Sequence, residues 1–146
     1  MRLVDTNVLL YAVSLSPDDT GKRRRAIELF RRHDLAVSVQ VFQEFYYQAT
    51  HPKRPDRLTH DDALAFLGTL MRFPIQEVTL DVFRTGVAIS QRFGLSYWDG
   101  AILAAARALG CDAVYSEDLS TEQDYDGLRV INPFDDGATP IRQVER

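Results

Sequence analysis

Short apolar runs alternating with helix-length amphipathic segments predict an α/β domain: a mainly parallel sheet of about five strands flanked by helices on both faces. Three observations carry this. Five runs, Arg2–Val4, Leu35–Ser38, Gln76–Thr79, Ala113–Ser116 and Leu128–Ile131, are too short for independent helices and rich in strand formers. The segments between them repeat apolar residues at helical spacing and are long enough for right-handed crossovers. With 146 residues, 45% apolar and 26% charged, the chain has the composition of one globular domain with a sizeable core.

Taken in order, the first strand ends on Asp5, and Thr6 and Asn7 lead into a short helix over Val8–Val13. Pro17-Asp18-Asp19 opens a second helix, with proline in the first turn and acids beside the positive dipole end. Its apolar positions are Ala26, Ile27 and Phe30, surrounded by Lys22, Arg23, Arg24, Arg25, Arg31 and Arg32. That basic run reads equally as a solvated helix face or as a phosphate-contacting surface. The strand Leu35–Ser38 feeds a helix over Val39–Ala49 with an apolar stripe of Phe42, Phe45, Tyr46 and Ala49; Glu44 lies off the stripe. A basic, proline-rich loop with Lys53 and Arg54 follows.

Thr59 to Asp62 has capping-box character and starts a helix bearing Ala63, Phe66, Leu67, Leu70 and Met71, ended by Pro74. After the third strand, a helix from Leu80 carries Val82, Phe83, Val87 and Phe93 and stops at Gly94. Ser96-Tyr97-Trp98-Asp99 opens an alanine-rich helix closed by Gly110. The last two strands follow, and the domain is expected to span 1–134, with a loose tail over 135–146.

The composition narrows the function classes. A net charge of −4 does not advertise a nucleic-acid binder, although local patches matter more than the total. The single cysteine, Cys111, cannot form an internal disulfide; it fits a reducing cytoplasm and a packing role. The N-terminal apolar run is interrupted by Asp5 and Asn7 and makes a poor signal peptide, and no run approaches the roughly 18 apolar residues of a membrane span. His33, His51 and His60 have no zinc-site spacing, and no nucleophile elbow, P-loop or dinucleotide fingerprint occurs.

What remains is a set of acids. Asp5 follows the first strand and Asp118, beside Glu117, the fourth. Asp99 sits in a helix first turn, and Glu44 on the helix after the second strand. Ligands of open parallel sheets bind beyond the carboxyl ends of the strands, an edge on which all four could converge. Each also has a plain reading: Asp5 as a helix cap, Glu44 as a solvated glutamate, Asp99 as half of a capping box with Ser96, Asp118 as a turn or cap residue. Carboxylates gathered at one edge repel, and oxygen-only donors suit a hard cation such as Mg²⁺ or Mn²⁺. The chemistry this offers is metal-assisted hydrolysis.

Val4-Asp5-Thr6-Asn7, Ser38 through Glu44, Ser96-Tyr97-Trp98-Asp99, Tyr115-Ser116-Glu117-Asp118 and the closing Val130–Phe134 together resemble the PIN-domain family, and more closely its VapC-type toxins. The resemblance covers roughly residues 1 to 134. It implies a three-layer PIN-like fold and a Mg²⁺- or Mn²⁺-dependent endoribonuclease, the toxin of a toxin–antitoxin pair. It also implies a homodimer and a cognate antitoxin partner. By the same resemblance Asp5 and Asp99 are the principal metal ligands, and Glu44 and Asp118 complete the acidic site. Thr6 or Asn7, and Ser116, match the supporting positions. Gly100 stands where the family commonly has alanine, and the fourth motif offers both Glu117 and Asp118, of which the Ser-x-Asp pattern selects Asp118. The basic residues Lys22, Arg23, Arg24, Arg25, Lys53 and Arg54 are candidates for contact with RNA or antitoxin.

Two other readings compete. One is a PIN-like module that binds RNA or protein without turnover. The other is a receiver-like or phosphatase-like domain using Asp5 as nucleophile, which lacks the lysine those folds place after a strand: Lys22 and Lys53 are the only lysines.

Overall fold

A computed structural model describes residues 1–135. The expected tail therefore lies, apart from Asp135, outside the described residues. Strands β1 (Arg2–Val4), β2 (Leu35–Ser38), β3 (Ile75–Gln76), β4 (Ala113–Tyr115) and β5 (Arg129–Ile131) form one sheet in the order β3-β2-β1-β4-β5, with every pairing parallel. Six helices flank it: α1 (Thr6–Ala12), α2 (Thr20–Leu29), α3 (Val39–Ala49), α4 (His60–Thr69), α5 (Leu80–Phe93) and α6 (Tyr97–Ala108). The predicted α/β class is the observed one, and the sheet is parallel throughout.

β1 is central, and its Leu3 and Val4 are fully buried, as are Leu35, Ala36 and Val37 of β2 and Val114 of β4. Burial on both faces is what a parallel sheet imposes, and it explains why these strands are continuous apolar runs rather than alternating ones. The order reverses at β1: the chain passes from β1 to β2 on one side and returns to β4 on the other. A crevice for ligands forms at such a switch point, beyond the strand ends.

Several boundaries differ from expectation, each for a local reason. α1 begins at Thr6 rather than Val8, because Asp5 caps it: the Asp5 side chain accepts the Thr6 backbone N–H. Pro17–Asp19 is a separate 3₁₀ turn capped by Ser16, and α2 starts only at Thr20. β3 covers Ile75–Gln76 rather than Gln76–Thr79, since the Thr79 hydroxyl accepts the Val82 N–H and caps α5. α4 ends at Thr69, before Pro74, whose carbonyl instead accepts the Val37 N–H beside β3. Ile27, Phe83, Val87 and Met71, expected on core faces, are exposed. The buried face of α5 is Val82, Gly86, Ile89 and Ser90.

The α5–α6 contact depends on glycine. A Cβ on Gly100 would stand 2.6 Å from the Gly86 carbonyl oxygen and 3.0 Å from the Ser90 Cβ. A Cβ on Gly86 would meet the Ala101 Cα at 3.1 Å. The two helices pack backbone to backbone, which fixes the start of α6 and Asp99 with it. The departure at Gly100 is thus matched by this close approach. Cys111 is half-buried and packed against the core, and burial pushes its thiol up to about 11, leaving an inert packing group. No helix among the described residues is long and apolar enough to cross a membrane.

Candidate active site: an acidic rim at the carboxyl edge

Asp5 lies where β1 hands over to α1, and both its carboxylate oxygens are occupied. One accepts the Thr6 N–H at 2.7 Å; the other accepts the Ser116 hydroxyl at 2.8 Å. The residue is 7% exposed. Burial pushes its pKa up to about 6; the bonds from Ser116 and Thr6 pull the other way, and the charges of Glu44 and Asp118 add to burial. The helix-cap reading thus describes Asp5, which is at the same time a buried carboxylate at the carboxyl end of the central strand.

Three neutral side chains each hold one acid. Ser116 holds Asp5. The Thr6 hydroxyl donates to Glu44 at 2.6 Å, across from α1 to α3. The Asn7 amide donates to Asp118 at 2.7 Å. The Ser116 hydroxyl also accepts the backbone N–H groups of Asp118 and Leu119, at 3.2 and 3.3 Å, so it shapes the turn that presents Asp118. Asp118 has its pKa raised by burial first and then by the charges of Glu117 and Asp99, against the Asn7 bond. Asp99 lies in the first turn of α6, whose cap Ser96 accepts the Asp99 N–H; its carboxylate takes no hydrogen bond among the described residues. The four expected acids are thereby linked in space: Asp5 feels Glu44 and Asp118, and Asp118 feels Asp99.

Glu117 turns elsewhere. It forms an ion pair with Lys22 and accepts the Tyr11 hydroxyl at 2.8 Å, while Lys22 also donates to the Tyr11 hydroxyl at 3.2 Å. Lys22 sits over the Tyr11 and Phe134 rings, and those rings meet edge to face at 4.9 Å. Of the adjacent pair, Asp118 therefore faces the rim. Tyr11 was not singled out in the sequence, and its position one turn after Asn7 on α1 was the available signal.

The basic candidates divide. Lys22 is committed to Glu117, Arg25 donates to the Pro133 carbonyl at 2.9 Å, and Arg54 pairs with Asp56 at 3.0 Å. Arg23, Arg24 and Lys53 are exposed. Arg23 and Arg24 line a groove with Ser14, Ser16, Thr20 and Ile27.

The donor chemistry of the rim fits a hard divalent cation: every candidate ligand is a carboxylate oxygen, and the buried Asp5 holds its proton to unusually high pH, so a cation would relieve the crowding of charge. The carboxylates do not close on one point, however. Among the described residues no three His, Cys, Asp or Glu side chains are grouped so as to hold a metal ion. Each of Asp5, Glu44 and Asp118 is instead drawn to its own neutral donor.

The chain matches the PIN domain family over residues 2–123. No curated protein sequence matches it. Among solved structures, a toxin–antitoxin complex from Klebsiella pneumoniae is similar at 21% identity and TM-score 0.66, covering 91% of this chain and 98% of that one. The sarcin-ricin-loop-cleaving toxin VapC20 of Mycobacterium tuberculosis is similar at 17% identity and TM-score 0.63, covering 81% and 90%. FitAcB from Neisseria gonorrhoeae follows at 19% identity and TM-score 0.60, covering 92% and 99%. At these identities what is shared is the fold.

Proposed function

Because this chain belongs to the PIN domain family, we propose that it is a Mg²⁺- or Mn²⁺-dependent endoribonuclease, the toxin of a toxin–antitoxin pair. The observation that carries the reading is the buried carboxylate of Asp5 at the central strand end, with Glu44, Asp99 and Asp118 around it. Asp5 and Asp99 would hold the ion; Glu44 and Asp118 would complete its surroundings. Such an ion supplies an activated water and neutralises charge on the phosphodiester. The chain's own part is positional. Ser116 orients Asp5, Thr6 orients Glu44, and Asn7 orients Asp118. Lys22 holds Glu117 away from the rim, so one acid fewer crowds the site.

The partners in this reading are RNA, an antitoxin and a second copy of the chain. Arg23 and Arg24, with the exposed Ile27 between helix turns, suit an acidic and partly apolar antitoxin segment. Exposed Leu80, Phe83 and Val87 on α5 and Trp98 on α6 form an apolar face suited to a homodimer. The second reading, a PIN-like module that binds without turnover, is favoured by one observation, the absence of a closed three-acid cluster among the described residues.

Cleavage of RNA by the purified protein with Mg²⁺ or Mn²⁺, against folded Asp5→Asn and Asp99→Asn variants, separates the two. The nuclease reading expects activity that EDTA abolishes and that both variants lose; equal activity in the variants overturns it. Metal-independent binding without cleavage would establish the second reading.

A further inference from the structure

Gln40, Glu44, Tyr47 and His51 follow one another at helical spacing, so they line a single face running from the acidic rim along α3 and past its end. Glu44 fixes where that face begins, through its bond to Thr6. One turn on, Tyr47 is 68% exposed, and its hydroxyl has no hydrogen-bond partner among the described residues. It is not loose. The His51 ring meets it edge to face at 5.5 Å. His51 is in turn oriented by the Lys53 backbone N–H, which donates to its Nδ1 at 3.1 Å.

The neighbouring Tyr46 is spent differently: its hydroxyl bonds His60 Nδ1 at 2.9 Å, tying α3 to the start of α4. Tyr47, unlike Tyr46, presents a supported aromatic ring whose hydroxyl has no hydrogen-bond partner among the described residues. Beyond it, exposed Lys53 and Arg57 make no ion pair among the described residues, unlike Arg54, which pairs with Asp56. An aromatic platform followed by free cations matches a single nucleic-acid strand, whose bases stack on rings while its phosphates meet lysine and arginine.

We propose that Tyr47, steadied by His51, is a base-stacking subsite for single-stranded RNA. It would receive the nucleobase next to the phosphodiester at the acidic rim, with Lys53 and Arg57 meeting the phosphates beyond. This rests on the nuclease reading and adds to it the form of the substrate: an unpaired segment whose base can leave its own stack. Tyr47 is a binding residue here, not a participant in bond cleavage.

The experiment uses the full chain and a short single-stranded RNA carrying 2-aminopurine. Binding is read in EDTA by anisotropy and by 2-aminopurine quenching, and cleavage is read with Mg²⁺. Tyr47→Ala should weaken binding and raise KM about 5- to 150-fold, the range for losing one stacked base, with kcat changed far less. Tyr47→Phe and Tyr47→Trp should restore binding and quenching, because the face and not the hydroxyl is used. Lys53→Gln should lower the slope of affinity against salt. Thermal melting should be unchanged for Tyr47→Ala, since the ring is exposed.

If wild-type protein cleaves RNA and Tyr47→Ala binds and cleaves it equally well, the subsite is wrong while the nuclease stands. If Tyr47→Ala keeps RNA binding but loses a protein partner, the subsite is again wrong. If wild-type protein neither binds nor cleaves RNA, both readings fall together.

Discussion

The Ser116 hydroxyl donates to the Asp5 carboxylate at 2.8 Å, joining two residues 111 positions apart in the chain. That bond and the Thr6 N–H favour ionised Asp5, yet burial outweighs them and the pKa rises to about 6. A carboxyl that binds its proton more tightly folded than unfolded contributes stability fully present below its ordinary value near 3.8, and that contribution is lost as pH rises through about 6. At neutral pH, ionised Asp5 therefore costs the metal-free fold roughly 3 kcal/mol relative to its protonated form. Asp5→Asn should stabilise the metal-free protein at pH 7.5 by about 1–2 kcal/mol, less than the full amount because Ser116 loses its carboxylate acceptor. The gain should shrink towards zero at pH 4. Thermal melts at the two pH values check it; a gain independent of pH would refute the assignment.

Divalent metal should reverse that ranking. Mn²⁺ or Mg²⁺ at about a hundred times its dissociation constant adds ~2.7 kcal/mol to a protein that binds it only when folded. Wild-type protein should melt about 5–10 °C higher with metal, and EDTA should remove the shift. Asp5→Asn should show almost none. A wild-type melt indifferent to both ions would count against a metal-dependent site.

Gly100→Ala should destabilise, against helix propensity. In a free helix the change would gain roughly 1 kcal/mol. Here the new methyl would meet the Gly86 carbonyl oxygen at 2.6 Å, so α5 and α6 must part. A net loss of about 1–3 kcal/mol is expected, as for overpacking elsewhere. Chemical denaturation measures it. Because Asp99 precedes Gly100, metal affinity should fall as well.

The adjacent acids should separate cleanly. Asp118→Asn should remove most metal-dependent cleavage, whereas Glu117→Gln should leave most of it. Glu117→Gln breaks the pair with Lys22, a contact at the protein surface, so its stability cost should stay within about 1 kcal/mol. Cleavage rates and melts on both variants decide it; equal loss of activity would mean that the two acids act together.

The fold was readable because two periodicities differ so plainly. The buried strands are unbroken apolar runs, and Thr59 and Ser96 stand at helix caps. Asp5, Asp99 and Asp118 were readable as strand-end and helix-start positions, and Glu44 only as a residue off the apolar stripe of its helix. Their individual supports were not, because Asn7 and Asp118 meet only after three further strands, β2, β3 and β4, have joined the sheet. The fate of Glu117 depended on Lys22, ninety-five residues away. Gly100 illustrates the sharper failure: propensity marks it as a weakness, and only the neighbouring helix shows why a larger residue does not fit.

The placement of β1 has a consequence for synthesis. β1 leaves the ribosome before the four other strands of its sheet yet is the middle of the finished sheet, and its second neighbour, β4, begins at Ala113. Long-range pairing of this kind waits on the late chain. A nascent chain halted before that point has Asp5 but neither Ser116 nor Asp118, so the acidic rim cannot assemble on it. Whatever chemistry the rim performs is thereby deferred until translation of the domain is nearly finished.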